Sequence, residues 1–318
     1  MNECKKEKKG RDFNFVYCDN WLNNNLPDKC LQLIIADPPY FEVKGEFDFI
    51  WETFEDYLKD VEKWVIECKR VLADNGTLFW WGDKKKIAYS QIILDKYFSL
   101  ENSIVWRKID SMQYQYYSPD LARTFNTHNE RLLMYSATND NDNTFAKYLR
   151  YKFGMFSIKT KDVQILFPSK TGGLTGCVSN WLNGDNIMTK EQYTKMQDKF
   201  GEHIFEKSYD ELISEYELNR RMFYNETKLE EVFEFSQEGH KTKQYDHETK
   251  KPEQLTRALI LTCSRKGDLV GVPFAGSGTE CAMSAKEGRN FIGFDIEQKH
   301  VDTSNRRCFE ILRQPQLF

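Results

Sequence analysis

Between Phe13 and Gly82 short apolar runs alternate with one long amphipathic stretch, and no other feature of the chain limits its fold as strongly. "FNFVYCD", ending at Asp19, "LQLIIAD", ending at Asp37, and "GTLFWWG", ending at Gly82, have the composition of short buried strands, and "RLLMYS", ending at Ser136, is a fourth. Between the second and third, "FEDYLKDVEKWVIECKRVLADNG" spaces Tyr57, Leu58, Val61, Trp64, Val65, Cys68 and Leu72 at helical intervals. It closes on "DNG", a helix stop signal. Strand alternating with helix predicts a parallel sheet covered on both faces. Ligands of such sheets lie at the carboxyl ends of the strands, where Asp19 and Asp37 fall. Trp80 and Trp81 are expected to point alternately to the core and to the sheet edge.

The C-terminal block repeats the pattern with one addition. "GDLVGVPFAGSGTECAMSAKEGRNFIGFDIE" reads as a strand from Asp268 to Val272, a glycine-rich turn, a helix from about Thr279, and a strand from Phe291 to Asp295. Glycines at 276 and 278 allow the backbone to approach a ligand closely. Asp295, about twenty positions on, stands where nucleotide-binding sheets place a partner for ribose hydroxyls.

Composition excludes several classes. The chain has 318 residues, 40% hydrophobic and 30% charged, which suits a globular protein with a sizeable core. No apolar run is long enough for a membrane span, and the basic start "MNECKKEKKGRDFNF" has no apolar segment behind it, so an intracellular protein is expected. The eight cysteines form no C-x-x-C pair and no histidine stands at ligand spacing from them, which argues against a disulfide framework or a zinc site. With 45 Lys and Arg against 49 Asp and Glu, the balance argues against a generic nucleic-acid coat but not against local basic patches.

From about Asn139 to Tyr245 the alternation stops. "FAKYLRYKFGMFSIKTKD" mixes aromatics with basic residues, a loop "PSKTGGLTG" follows, and then a more helical part, so this stretch reads as an insertion or second domain. Candidate phosphate contacts are "DKKK" at Asp83 to Lys86, "WRK" at Trp106 to Lys108, and Lys147, Arg150, Lys152, Lys159 and Lys161, with nearby aromatics for stacking. The loop from Ser169 to Gly176 is a candidate groove probe. His128 and Glu130, in the lead-in to the fourth strand, are assigned no chemistry beyond support.

"DPPY" at Asp37 to Tyr40, "PFAGSGT" at Pro273 to Thr279 and "HETKKPEQL" at His247 to Leu255 resemble the catalytic, cofactor and helix-leading motifs of the DNA amino-methyltransferases. Their order, catalytic motif first and cofactor motif last, is similar to the beta group of that family. The resemblance implies a doubly wound, Rossmann-like α/β sheet with circularly permuted motif order. It divides the chain into a catalytic half (1–138), a target-recognition insertion (139–245) and a cofactor-binding half (246–318). It also implies methyl transfer from S-adenosylmethionine to the amino group of a flipped base in double-stranded DNA, without a metal. Asp37 and the carbonyl of Pro38 would accept hydrogen bonds from that amine, in a turn shaped by Pro38 and Pro39, with Tyr40 stacking on the base. Phe274, Ala275, Gly276, Ser277, Gly278 and Thr279 would line the cofactor pocket. Asp295 would hold the ribose, Asp19 would sit near the adenine, and Lys251 and Pro252 would flank the methionine end.

An aspartate in the first position of the catalytic motif favours adenine N6. Cytosine N4, an RNA substrate, and a catalytically silent DNA- or cofactor-binding protein are the alternatives. A homodimer, a cognate restriction enzyme and a cytoplasmic, nucleoid-associated place in a bacterial or phage-infected cell are further expectations of the resemblance. Two departures stand out: Val272 occupies the place of an acid that precedes the Pro-Phe pair in the family, and Glu248 and Lys250 alter the helix-leading motif. If the missing acid normally helps to bind the methionine ammonium, Asp37 would have to serve both ligands.

Overall fold

The computed structural model describes residues 11–43, 48–109, 128–137, 143–169, 173, 175–237 and 251–313. They fall into two compact units, Met1–Asn139 with Met222–Phe318, and Asp140–Arg221. The strands are β1 (Phe15–Cys18), β2 (Leu31–Ala36), β3 (Leu72–Gly82), β4 (Ser99–Lys108), β5 (Asn129–Ser136), β6 (Val232–Phe235), β7 (Leu269–Val272) and β8 (Asn290–Asp295). All belong to the first unit, with helices α1 (Phe54–Val71) and α2 (Ile87–Leu94). The second unit holds α3 (Thr144–Met155), α4 (Thr160–Gln164), α5 (Cys177–Asn183), α6 (Lys190–Phe200) and α7 (Tyr209–Asn219). Helices α8 (Glu253–Cys263), α9 (Thr279–Lys286) and α10 (Gln298–Leu312) return to the first.

One sheet runs in the order β1-β8-β7-β2-β3-β5-β4-β6. From β1 through β3 neighbours are parallel, as the alternation predicts. The expected all-parallel arrangement ends there: β5 lies antiparallel between β3 and β4, and β6 adds parallel to β4. The crossover through α2 leaves a strand-wide gap between β3 and β4, and β5 fills it from the opposite direction. The amino end of β5 therefore lies at the edge where the parallel strands have their carboxyl ends, with Glu130 opposite Trp106 and Arg131 opposite Gly82.

Sequence explains α1 well. Thr53 caps it by accepting from the Asp56 amide, acids occupy the first turn and Lys69 and Arg70 the last, each matched to the helix dipole. The helix stops at Val71, before "DNG", because Leu72 already pairs with Leu31 of β2. The next pair is Leu33 with Thr77, so the intervening residues bulge out of the register instead of closing the helix.

Both sheet faces are covered. Trp80 packs on one face with Ile34, Val61 and Val65, and Trp81 on the other with Ile35, Leu259 and Cys281. The tryptophan pair does alternate, but both rings are core and neither is at an edge. The second unit is helical around Phe145, Leu149, Phe153, Trp181, Tyr193 and Phe205. Thr189 with Gln192, and Ser208 with Glu211, form reciprocal caps that start α6 and α7. The unit ends at Arg221, and Val232–Phe235, beyond it, pairs with β4 in the first unit.

Truncation of Trp80, which has no exposed surface, is expected to cost about 3–5 kcal/mol. Urea denaturation of Trp80→Ala measures this, and a loss below ~1 kcal/mol would mean that the ring is not core.

Candidate active site

The chain leaves β2 at Asp37 and turns through Pro38 and Pro39 to Tyr40. The Tyr40 amide donates to Asp48 Oδ1 at 2.6 Å, which holds the turn, and its hydroxyl donates to Asp37 Oδ1 at 2.7 Å. On the other side Lys251, in the segment leading into α8, places Nζ 2.7 Å from Asp37 Oδ2 and 3.1 Å from Glu130 Oε2. Lys108, at the end of β4, closes the chain of charges with Nζ 2.6 Å from Glu130 Oε1. The side chain of Lys251 is 5% exposed and its ammonium lies 4.8 Å from the Trp81 ring centroid and 5.8 Å from that of Tyr40.

Each member holds the others in a defined charge state. Burial alone would draw the Lys251 pKa down, but the Asp37 and Glu130 carboxylates outweigh it, so the ammonium persists well above neutrality. Burial would likewise push Glu130 up, yet Lys251 and Lys108 bring it to about 2. The Tyr40 phenol is pushed far up, first by burial and then by Asp37 and Glu130, so it stays a proton donor to Asp37.

Across the same edge, β7 passes into the glycine turn. Gly276 and Gly278 have φ of 48° and 72°, where glycine is favoured. A Cβ on Gly278 would stand 2.7 Å from Ser304 Cβ of α10, and Ser304 Oγ donates to the Gly276 carbonyl at 2.8 Å. Asp295 Oδ2 accepts from the Gly276 amide at 2.8 Å, and Oδ1 accepts from the Glu297 amide at 2.9 Å with His300 Nδ1 at 3.3 Å. Burial would raise the Asp295 pKa, but these hydrogen bonds outweigh it, so it is a carboxylate at neutral pH. A carboxylate has about four acceptor sites, so Asp295 can tie the turn and still accept from a hydroxyl. Thr279 Oγ1 accepts from buried Arg307 at 2.9 Å, and Arg307 also pairs with Glu253.

Most residues singled out in the sequence gather at this edge. Asp37, Pro38, Pro39, Tyr40, Lys251 and Pro252 stand on one side, and Phe274, Ala275, Gly276, Ser277, Gly278, Thr279 and Asp295 on the other. Phe274 packs edge-on against Trp64, with ring centroids 5.0 Å apart. Asp19 follows β1 beside the end of β8, but it is engaged by Arg11, the Asn20 amide and Asn23, so its first role is to fasten its own turn. Val272 is buried in the core at 1% exposure. His247 to Lys250, and Lys170, Thr171, Gly172 and Leu174 of the loop from Ser169 to Gly176, lie outside the described residues.

Several expected phosphate contacts are committed elsewhere. Lys108 belongs to the charge cluster, Lys152 is buried and paired with Glu206, and Arg107 pairs with Glu234. Lys86 donates to the Phe41 carbonyl, and Arg150 to that of Leu182. Lys147, Lys159 and Lys161 are exposed. Of the aromatics near them, Phe145 and Phe153 are core, while Tyr151 and Phe156 reach the surface. The residues missed are Glu130, Lys108 as its partner, and Glu280, a buried carboxyl in the first turn of α9. A sequence signal existed for the last: an acid among the small apolar residues of "TECAMSA".

A parallel sheet with a glycine turn after one strand and a carboxylate-proline-aromatic turn after its neighbour defines a Rossmann-like transferase. Residues 31–306 match the DNA methylase family, and the chain belongs to it. The type II methyltransferase M.HinfI of Haemophilus influenzae is 26% identical over 309 residues, 91% of this chain and 66% of that protein. The DNA adenine methyltransferase YhdJ of Escherichia coli K12 is 26% identical over 289 residues, 89% and 77% of the two chains. The chain spans about two thirds of the M.HinfI length. Among solved structures, the M1.HpyAVI complex with S-adenosylmethionine superimposes with a TM-score of 0.52 at 16% identity, covering 92% of this chain and 98% of that one. The cytosine-N4-specific PvuII methyltransferase gives 0.52 at 12%, covering 93% and 90%. These two likenesses show the fold. No group of residues that could hold a metal ion occurs among the described residues, and none of the described helices is long and apolar enough to cross a membrane.

The Glu130 pKa, lowered from 4.5 to about 2, makes a pH prediction. A carboxyl whose folded pKa is depressed stabilises the fold above its unfolded pKa and loses that contribution as pH falls through the folded value. Glu130→Gln is therefore expected to be less stable than the parent by on the order of 2–3 kcal/mol near neutrality, a gap that closes on acidification from about pH 4.5 to pH 2. Urea denaturation across this range measures it, and a gap independent of pH would contradict the ion-pair assignment.

Proposed function

We propose that the protein transfers the methyl group of S-adenosylmethionine to the N6 amine of adenine in DNA, with Asp37 as the group that binds that amine. The observation that carries the reading is the position of Asp37: at the carboxyl end of β2, hydrogen-bonded by Tyr40 and paired with Lys251, beside the strand that leads into the glycine turn. An exocyclic amine is a poor nucleophile because its lone pair is delocalised into the ring. Asp37 accepts one N–H and the Pro38 carbonyl the other, which draws the pair back onto nitrogen. Tyr40 offers a ring face to the flipped base, offsetting part of the few kcal/mol that flipping costs. S-adenosylmethionine supplies a methyl group already activated by sulfonium. Catalysis is then positioning and hydrogen bonding by the protein.

The pocket residues suit such a cofactor. The turn from Phe274 to Thr279 is shaped by positive-φ glycines, Asp295 has acceptor capacity for a ribose hydroxyl, and Lys251 and Pro252 enter the helix beside it. For the base, aspartate at position 37 and the likeness to an adenine enzyme both support N6. The helical unit Asp140–Arg221, with exposed Lys147, Lys159 and Lys161, supplies target recognition in this reading. Self-association, a cognate endonuclease and a cytoplasmic, nucleoid-associated location rest on the family resemblance.

The product decides the reading. Incubation with S-adenosylmethionine and unmethylated duplex DNA, followed by nucleoside digestion and mass spectrometry, is expected to yield N6-methyladenine. N4-methylcytosine would refute the base assignment, and a methylated RNA nucleoside with untouched DNA would refute the substrate.

A further inference from the structure

At this edge the carboxylates of Glu130 and Asp37 are matched by lysines. Lys108 pairs with Glu130, and Lys251 is shared between Glu130 and Asp37. Glu280 is left over. It sits in the first turn of α9, immediately after the glycine turn, and is 6% exposed. Among the described residues no side chain pairs with its carboxyl. Its own amide is the backbone donor that lowers its pKa, and Lys251 and Arg307 act on it only through space.

The charges that act on it are Asp37 at the end of β2, Lys251 before α8 and Arg307 on α10. Glu253 at the start of α8 and Asp295 at the end of β8 are further acids of this edge. Glu253 is occupied by Arg307, and Asp295 by the glycine turn and His300. Isolated burial of a carboxylate is unfavourable unless a cation compensates it. Burial, followed by the charge of Asp37, accordingly lifts the Glu280 pKa to about 7.

The place of a missing acid is also on record in the sequence. Val272, before Pro273 and Phe274, where the sequence resemblance implies a carboxylate, is sealed in the core and can offer nothing to a cation. We propose that Glu280 receives the α-ammonium of S-adenosylmethionine, from the far side of the glycine turn, in place of the acid that Val272 replaces. This rests on the reading of that turn as the cofactor pocket. Asp37 is then free to serve the target amine alone. A bound ammonium supplies the cation that Glu280 lacks, so cofactor binding ionises Glu280 and releases its proton.

Isothermal titration of the full chain with S-adenosylmethionine and with S-adenosylhomocysteine tests this. The second ligand keeps the ammonium and lacks the sulfonium charge. The parent protein is expected to release up to about one proton on binding either ligand near pH 6, read from buffers of different ionisation enthalpy, and to bind more tightly as pH rises from about 5.5 to 7.5. Glu280→Gln is expected to raise the Kd for both ligands about 10- to 100-fold at pH 7.5 and to abolish the pH dependence. Thermal unfolding should show the variant at least as stable as the parent, and the proton release needs no variant. Unchanged affinity in Glu280→Gln, or weakening confined to the sulfonium ligand, would overturn the proposal while leaving the cofactor reading intact. A parent protein that binds neither ligand would overturn both.

Discussion

The structure turns on a single buried ammonium. Lys251 is held between Asp37 and Glu130, and the three chain segments that supply them are far apart in sequence. A lysine with so little exposed surface is costly unless both its neighbours are ionised, and each carboxylate is costly without the lysine. The cluster therefore forms as a unit, and it fixes the turn after β2 against the segment that enters α8. The hydroxyl of Tyr40 and the second lysine, Lys108, extend the same pattern to both ends.

That arrangement depends on the one strand that breaks the parallel order. Had β5 run with its neighbours, Glu130 would stand at the opposite edge of the sheet, about eight residues of strand away, some 25 Å at ~3.3 Å per residue. Antiparallel insertion between β3 and β4 brings it to the carboxyl edge, beside the loops where an open α/β sheet binds its ligands. On the other side of Asp37, the glycine turn and Asp295 form a second fixed assembly, joined by the amide of Gly276. Glu280, in the first turn of α9 directly after the glycine turn, has a carboxyl that neither assembly pairs with.

Much of this was legible in the sequence, for physical reasons. Continuous apolar runs ending in Asp37 and Asp295 are strands buried on both faces, whereas the run ending in Asp19 is an edge strand in which only Val16 is fully buried; the ends of all three mark the ligand edge. Glycines at 276 and 278 signalled a turn whose backbone a ligand could approach closely; both have positive φ, and Gly278 is also packed against Ser304. What could not be read was strand direction. "RLLMYS" has the same composition whichever way it runs, so Glu130 carried no sign that it would meet Lys251. Lys108 and Lys152 read as phosphate contacts because their partners are distant in sequence: Lys108 meets Glu130 only through the direction of β5, and Lys152 meets Glu206 through the packing of the helical unit. The four residues Val232–Phe235 gave no periodic signal strong enough to mark a strand, although they pair with β4.

In the proposed reaction Asp37 acts on the target amine and is not needed to hold the cofactor. The most direct measurement is single-turnover methyl transfer by Asp37→Ala with cofactor saturating, alongside the variant's affinity for S-adenosylmethionine. The account predicts loss of transfer by at least about a thousandfold, of the size seen when a preorganised hydrogen-bonding group is removed from a transition state, with cofactor affinity within about tenfold of the parent. Transfer at the parental rate, or a loss explained entirely by failure to bind the cofactor, would contradict it.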